Sequence, residues 1–325
     1  MVFGIDNNFR KKFFGKDGDT NYTKKFLKKK FKNYTHYNLD IRSSIKIHTV
    51  MKKIKPDFIV HCAAQPSHDK ASEIPKLNHE VNINGTFNLL ESTRIINPKV
   101  PFVFLSTNKV YGDNPNKIKL REKKLRWEYF YKKNMNGINE DLSIDHCTHS
   151  LFGASKVSAD ILVQEYGKYF GMFTCCLRGG CLTGPNHAGV ELHGFLSYLI
   201  KCNIYKKKYY IFGYKGKQVR DNIHSLDVAN FIECFLKNPR KGEVYNIGGG
   251  KRNSISILEA IKKIEKLSKI KMLISYKKQH RIGDHICYYS DLKKMKKHYP
   301  NWKITKNLDS IFKEIYQNWK IRKKN

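Results

Sequence analysis

The sequence lacks any apolar run approaching the ~20 residues that a membrane span requires, so no membrane partner is expected. Its opening residues are charged and aromatic and do not form the pattern of a secretory signal. The eight cysteines are scattered, with Cys175 and Cys176 adjacent and no Cys-x-x-Cys, which fits reduced thiols in a cytoplasmic protein. No metal is expected, because His and Cys never fall at ligand spacing; His61-Cys62, His146-Cys147 and His285-x-Cys287 read as packing. A Gly-x-Ser-x-Gly elbow and a Ser-His-Asp order are absent, which removes the hydrolases built on them. No repeat of fixed period occurs. Acidic residues are scarce, 28 Asp and Glu against 62 Lys and Arg, giving a formal net charge of +34. The surplus is spread along the chain, as at Lys28–Lys30 and Lys206–Lys208, and no nucleic-acid motif accompanies it. It reads as solvated surface that favours anionic ligands in general, with no nucleic-acid partner expected.

What is present is enough for a large core: 325 residues, 40% hydrophobic. Up to about residue 180, short apolar segments alternate with helical patterns. Val2–Ile5, Tyr34–Asn38, Phe58–His61, Phe102–Ser106 and Phe173–Leu177 read as strands, and Ser44–Ile54, Leu77–Ile96 and Ser150–Phe170 as helices. That alternation predicts an α/β fold with a Rossmann-like parallel sheet. The polar stretch from Tyr111 to Cys147 is too long for an ordinary connection and is expected to be a functional loop or lid. After Gly184-Pro185 the pattern changes, which predicts two domains: residues 1–180 for a dinucleotide, and residues 181–325 as a smaller substrate domain partly interleaved with the first.

Several positions carry chemistry. Asp6 ends an apolar strand, where a carboxylate can accept both hydroxyls of a ribose. Small residues in His61-Cys-Ala-Ala-Gln65 let a ligand approach the backbone closely. Phe152 and Lys156 are four apart and share a helix face. Arg220 and Arg281 can each fork onto a phosphate.

Taken together, Gly4-Ile-Asp-Asn7, Val81-Asn-Ile-Asn-Gly-Thr86, Leu105-Ser-Thr-Asn-Lys-Val-Tyr-Gly112, Leu177-Arg-Gly-Gly-Cys-Leu-Thr-Gly-Pro185 and Gly216-Lys-Gln-Val-Arg-Asp-Asn-Ile-His224 resemble the extended short-chain dehydrogenase/reductases. Within them the wording is nearest to the nucleotide-sugar epimerases of the CDP-paratose 2-epimerase (CDP-tyvelose epimerase) group. The resemblance implies NAD as cofactor, held by Asp6, Asn7, Asp40, Ile41, Ala63, Ala64, Gln65, Asn82, Ser106, Lys156 and Arg178. It implies Thr107, Phe152 and Lys156 at the catalytic positions. Thr107, Asn108, Asn186, His187, Arg220 and Arg281 would bind a nucleotide sugar. The activity it implies is epimerisation, of a CDP-hexose at C2, for surface polysaccharides. It also implies a homo-oligomer.

The chain departs from the family's pattern in two places. No strand with a Gly-x-x-Gly-x-x-Gly turn precedes Val2–Ile5, so the expectation is a misassigned start or a truncation of roughly 25–30 residues, one strand–turn–helix unit. NAD is then expected to bind this chain weakly. The second departure is Phe152, which stands where the family has its acid/base tyrosine and has no proton to give. His149 and Tyr111 are candidate substitutes. A non-catalytic nucleotide-sugar binder or decayed pseudoenzyme is the alternative reading. A dehydratase is disfavoured, because Asn108-Lys109 follows Thr107 where dehydratases carry an acid/base pair such as Asp-Glu.

Overall fold

The structure is a computed structural model and describes residues 1–191, 193–279 and 283–324. Its strands that bear on function are β1 (Val2–Ile5), β2 (Tyr34–Tyr37), β3 (Ile59–His61), β4 (Phe102–Thr107), β5 (Thr174–Gly179), β6 (Cys181–Thr183), β7 (Val219–His224) and β8 (Glu243–Ile247). The corresponding helices are α1 (Phe9–Phe14), α2 (Ser44–Ile54), α3 (His68–Glu73), α4 (Gly85–Ile96), α5 (Ser150–Tyr169), α6 (Phe195–Tyr205), α7 (Ser225–Lys237), α8 (Ile257–Ser268) and α9 (Leu308–Lys324).

Strands β3, β4, β5 and β8 form one parallel sheet in the order β8-β5-β4-β3. The continuous apolar run of β4 exists because both of its faces are covered. Phe102 and Phe104 point into a core built with α2, α4 and α5, through Ile47, Met51, Leu90 and Val163. Val103, between them, points the other way, into a core with Phe231 and Phe235 of α7. Strands β1 and β2 pair in parallel with each other. Ile5 of β1 and Ile59 of β3 nonetheless pack against the same core.

The second half of the chain builds its own core where α6, α8 and α9 meet, through Leu199, Ile200, Ile261, Ile264, Ile311 and Phe312. A capping box starts α8: Ser256 Oγ accepts from Glu259 N, and the Glu259 carboxylate accepts from Ser256 N. Strand β7 is the centre of a mixed sheet with β6, Ser254–Ser256 and Cys287–Tyr288. Strand β8 then carries the chain back to the first sheet, so the two halves share a strand layer.

Two segments differ from the sequence reading. The helix expected over Leu77–Ile96 is interrupted by a π-helical turn at Glu80–Asn84, closed by Gly85 N donating to Glu80 O. One such turn shifts the helix face locally. The stretch from Tyr111 to Cys147 is not a free lid. It contains a hairpin, Leu120–Glu122 with Trp127–Tyr129, stitched to the second half of the chain. Tyr129 is buried and its hydroxyl donates to Cys287 O at 2.7 Å; Arg126 donates to Ser254 Oγ at 2.6 Å. The partners lie more than a hundred residues away, which no local pattern reveals.

Candidate active site: a cleft at the carboxyl ends of the strands

A cleft of about 550 Å³ opens where β1, β3, β4 and β5 end, the place where open parallel sheets take ligands. Asp6 and Asn7 follow β1, Ala63 and Ala64 follow β3, and Ser106 and Thr107 end β4. Asp40, Ile41, Asn108, Phe152 and Lys156 continue the wall, and His187 and Arg220 come from the second half of the chain.

The Asp6 carboxylate is exposed and its Oδ1 accepts from Asn8 N at 2.8 Å. Ile41 fits under Gly85, where a Cβ would come within 2.4 Å of its side chain. Asp40 pairs with Arg42 at 2.9 Å, and Arg42 pairs onward with Glu80 at 2.7 Å. Thr107 Oγ1 accepts from Lys109 N at 3.2 Å, which fixes the hydroxyl at the strand end. Lys156 Nζ donates to Leu105 O at 2.9 Å and lies 4.0 Å from the centre of the Phe104 ring. Burial lowers its pKa to about 8, against the opposing pull of Asp160.

At the other end, Arg220 and Lys109 converge on Asp284, at 3.4 and 3.5 Å. Lys109 Nζ also donates to Gly283 O at 2.9 Å, and burial lowers its pKa to about 8. Three cationic or acidic groups thus line one end of the cleft, while the Asp6 carboxylate marks the other. Arg10 of α1 also lines the cleft. Its guanidinium donates to Ala188 O at 2.7 Å and meets His193 Nδ1 at 3.3 Å.

Not every expected residue reaches the wall. Asn82, Gln65 and Arg178 lie behind it instead. Asn82 accepts from Gln65 N at 2.8 Å and donates to Gln65 O and Ser155 Oγ at 3.1 and 2.9 Å, tying the turn after β3 to α5. The Gln65 side chain is spent on Ser67 and Asn78. Arg178 forks onto Asp160 at 2.9 and 3.2 Å, both side chains being buried, so its charge is neutralised beneath the sheet end. Asn186 is exposed beside the cleft, its carbonyl accepting from Arg322. Arg281 lies outside the described residues. The two candidate substitutes for the missing tyrosine are also elsewhere. His149 Nε2 is bound to Val110 O at 2.9 Å. Tyr111 is fully buried, donates to Asn246 at 2.8 Å, and burial pushes its pKa up to about 12.

The NAD dependent epimerase/dehydratase family model matches residues 10–248. The chain belongs to that family. It is 32% identical over 271 residues to the CDP-paratose 2-epimerase of Salmonella typhi, covering 81% of this chain and 78% of that protein. It is 28% identical to the UDP-glucuronate 4-epimerase of Thermodesulfobacterium geofontis, over 83% and 74% of the two chains. Among solved structures, the UDP-glucuronic acid 4-epimerase of Bacillus cereus superposes with TM-score 0.78 at 23% identity, over 99% of this chain and 91% of that one. The dTDP-glucose 4,6-dehydratase of Bacillus anthracis superposes with TM-score 0.76 at 22% identity, over 99% and 89%.

The donor set of the cleft fits the family's cofactor. An exposed carboxylate stands at a strand end, two alanines follow β3 with no side chain to block close approach, and a buried lysine lies deeper in. No group of three or more His, Cys, Asp or Glu side chains that could hold a metal occurs among the described residues. No described helix is long and apolar enough to cross a membrane. Sequence reasoning passed over His68 and Arg10, and gave Lys109 and Asp284 no role of their own. His68 carried a usable signal, since it opens the helix that follows β3, at the ligand-binding edge of the sheet.

Proposed function

We propose that this chain epimerises a nucleotide-linked hexose, with a CDP-hexose inverted at C2 as the substrate class. One observation carries the reading: Asp6, Thr107, Lys156 and Arg220, drawn from four distant stretches of sequence, line a single cleft. Similarity to a CDP-paratose 2-epimerase over four fifths of the chain supports the choice of nucleotide and carbon. When bound, NAD supplies the acceptor and later the donor of a hydride. The Asp6 carboxylate holds the adenosine ribose through its two hydroxyls and disfavours a 2′-phosphate. Lys156 holds the other ribose from the floor. Thr107 orients the sugar oxygen, and Arg220 fixes the diphosphate with paired charge-assisted bonds. The two roles at opposite ends leave the hexose over the ends of β4 and β5, beside Gly179 and Gly180, which are closely backed by Leu182 and Asp221.

The test is product analysis. The full chain with NAD is incubated in deuterated water with CDP-, UDP- and dTDP-hexoses, and the sugars are read by proton NMR. The reading expects a C2 epimer of a CDP-hexose with no deuterium at the inverted carbon, because the hydrogen leaves and returns as hydride. Deuterium at that carbon, or no epimer from any sugar, refutes it. A second reading, binding without turnover, rests on Phe152. It predicts calorimetric binding of the same sugars with no product.

A further inference from the structure

Phe152 cannot move a proton, and the structure sets a group that can directly against it. The His68 ring packs on the Phe152 ring with centroids 4.9 Å apart and planes at 64°. Both line the cleft with Thr107 and Lys156. His68 stands at the first turn of α3, immediately after the loop that leaves β3, and Ser67 caps that turn by accepting from Lys70 N. Its Nδ1 lies 2.9 Å from Ser150 Oγ, which anchors the imidazole in one orientation. Ser150 itself has φ of 62°, a left-handed conformation that costs a non-glycine residue energy. Gly283 closes over the pair: it has φ of 79°, and a Cβ there would come within 3.0 Å of His68 Nδ1 and 3.3 Å of Ser150 Cβ. A titratable ring is therefore oriented by a hydroxyl on a strained backbone, beneath a glycine that alone fits, in the cleft that Thr107 and Lys156 also line. A nearby acid/base oriented by a second group is the arrangement that proton transfer requires.

We propose that His68 is the proton-transfer residue of this chain, taking the part that a phenol at position 152 would otherwise play. This rests on the oxidation–reduction reading above. In the oxidative half, the carbinol carbon gives its hydride to NAD, the hydroxyl proton passes to the neutral imidazole, and the C–O bond becomes C=O. In the return half, a hydride reaches the opposite face of that carbon and the imidazolium gives its proton back to the oxygen. The charged and titratable groups that share the cleft with His68 are Asp69 on its own helix, Asp6 and Asp40 after β1 and β2, Cys62 after β3, Lys156 on α5, Cys181 on β6, Lys109, Arg220 and Asp284 on the far wall, Arg10 on α1, His187, Glu191 and His193 ahead of α6, and Tyr198, Tyr209 and Tyr210.

The experiment uses the full chain with saturating NAD and the CDP-, UDP- and dTDP-hexose panel. Nicotinamide reduction is followed by rapid absorbance in the wild type, His68→Gln, Phe152→Tyr and the double variant. Glutamine keeps a polar side chain of similar reach and loses the titration. The expected loss in His68→Gln is roughly 10²–10⁴-fold, the usual contribution of such a group. Adding Phe152→Tyr to it should restore at least about ten-fold. The wild-type rate should rise with pH through the histidine range, an inflection that the double variant lacks. A readout without turnover accompanies it: the His68 Cε1–H resonance, identified by its absence in His68→Gln, should change its titration midpoint when CDP-glucose is added. A merely structural His68 would lose rate equally at every pH and would not be rescued by the phenol. His68→Gln within three-fold of wild type, or no response of the resonance to the sugar, overturns the proposal. Reduction in Phe152→Tyr with none in the wild type overturns it alone and leaves the sugar assignment standing. No reduction in any variant overturns both.

Discussion

Replacing Lys156 by methionine should make the protein more stable at neutral pH while removing the cation from the cleft floor. Burial holds the ammonium pKa at about 8 against an ordinary 10.5. Below pH 8 the lysine is charged in both folded and unfolded chains, so the folded state bears the full penalty of burying it. At about 1.4 kcal/mol per pKa unit that penalty is about 3 kcal/mol. Between pH 8 and 10.5 the folded lysine is neutral while the unfolded one is still charged, so wild-type stability climbs; above 10.5 the penalty is gone. Methionine has similar length and no charge, but it leaves Leu105 O without the 2.9 Å bond from Nζ, a loss of about 1 kcal/mol. The net gain for Lys156→Met at pH 7 is then about 2 kcal/mol. With an unfolding entropy of about 2.1 cal/mol/K per residue over 325 residues, the melting temperature should rise by about 3 °C. Urea melts of both proteins at pH 7 and pH 10.5 provide the assay. The advantage should vanish or reverse to about −1 kcal/mol at the higher pH. A variant less stable than wild type at pH 7, or a difference that does not change with pH, refutes the reasoning. Binding of NAD, by calorimetry, should weaken in the same variant.

Arg220→Ala should weaken CDP binding by about 10–100-fold in calorimetry, the worth of a hydrogen-bonded pair to a charged group. Its melting temperature should move little, because its carboxylate partner Asp284 is partly exposed. Asp160→Leu should cost about 3–5 kcal/mol in urea melts, since it leaves the Arg178 guanidinium buried without its carboxylate. Acid should destabilise the fold through His61, whose pKa burial lowers to about 3. The unfolded imidazole takes a proton below its ordinary pKa of about 6.5 and the folded one does not, so stability is lost as pH falls from 6.5 towards 3. His61→Leu should flatten that slope in urea midpoints measured from pH 7 to pH 4.5.

The strands of the central sheet were legible because each carries short apolar stretches, as Phe102 to Leu105 does in its own composition, and β4 and β5 are covered on both faces. The helix Ser44–Ile54 was legible in its full length, since its apolar positions recur at helical spacing. Strand β7 was seen only as a motif around Arg220, because its central polar residues, Asp221 and Asn222, mask the strand pattern; both are buried, and Asp221 accepts from Ser290 N and Gly250 N of other segments. The π-helical turn at Glu80–Asn84 was invisible, since it keeps helical composition and changes only the register of the hydrogen bonds.

The sequence by itself determined the parallel sheet, the strand ends at which Asp6 and Thr107 stand, and the family to which these motifs belong. Those are consequences of short-range periodicity and local wording. Only the tertiary structure decided which of the named residues face the ligand. Arg178 and Asn82 carry chemistry that suits a cofactor, yet Asp160 and Gln65 occupy their polar atoms behind the wall. His68 is separated from Ser150 and Phe152 by more than eighty residues, so the contact that makes it a candidate acid/base exists only once α3 packs on α5. Side-chain direction at a strand end is set by what already fills the space behind it, and that is a property of the packed core.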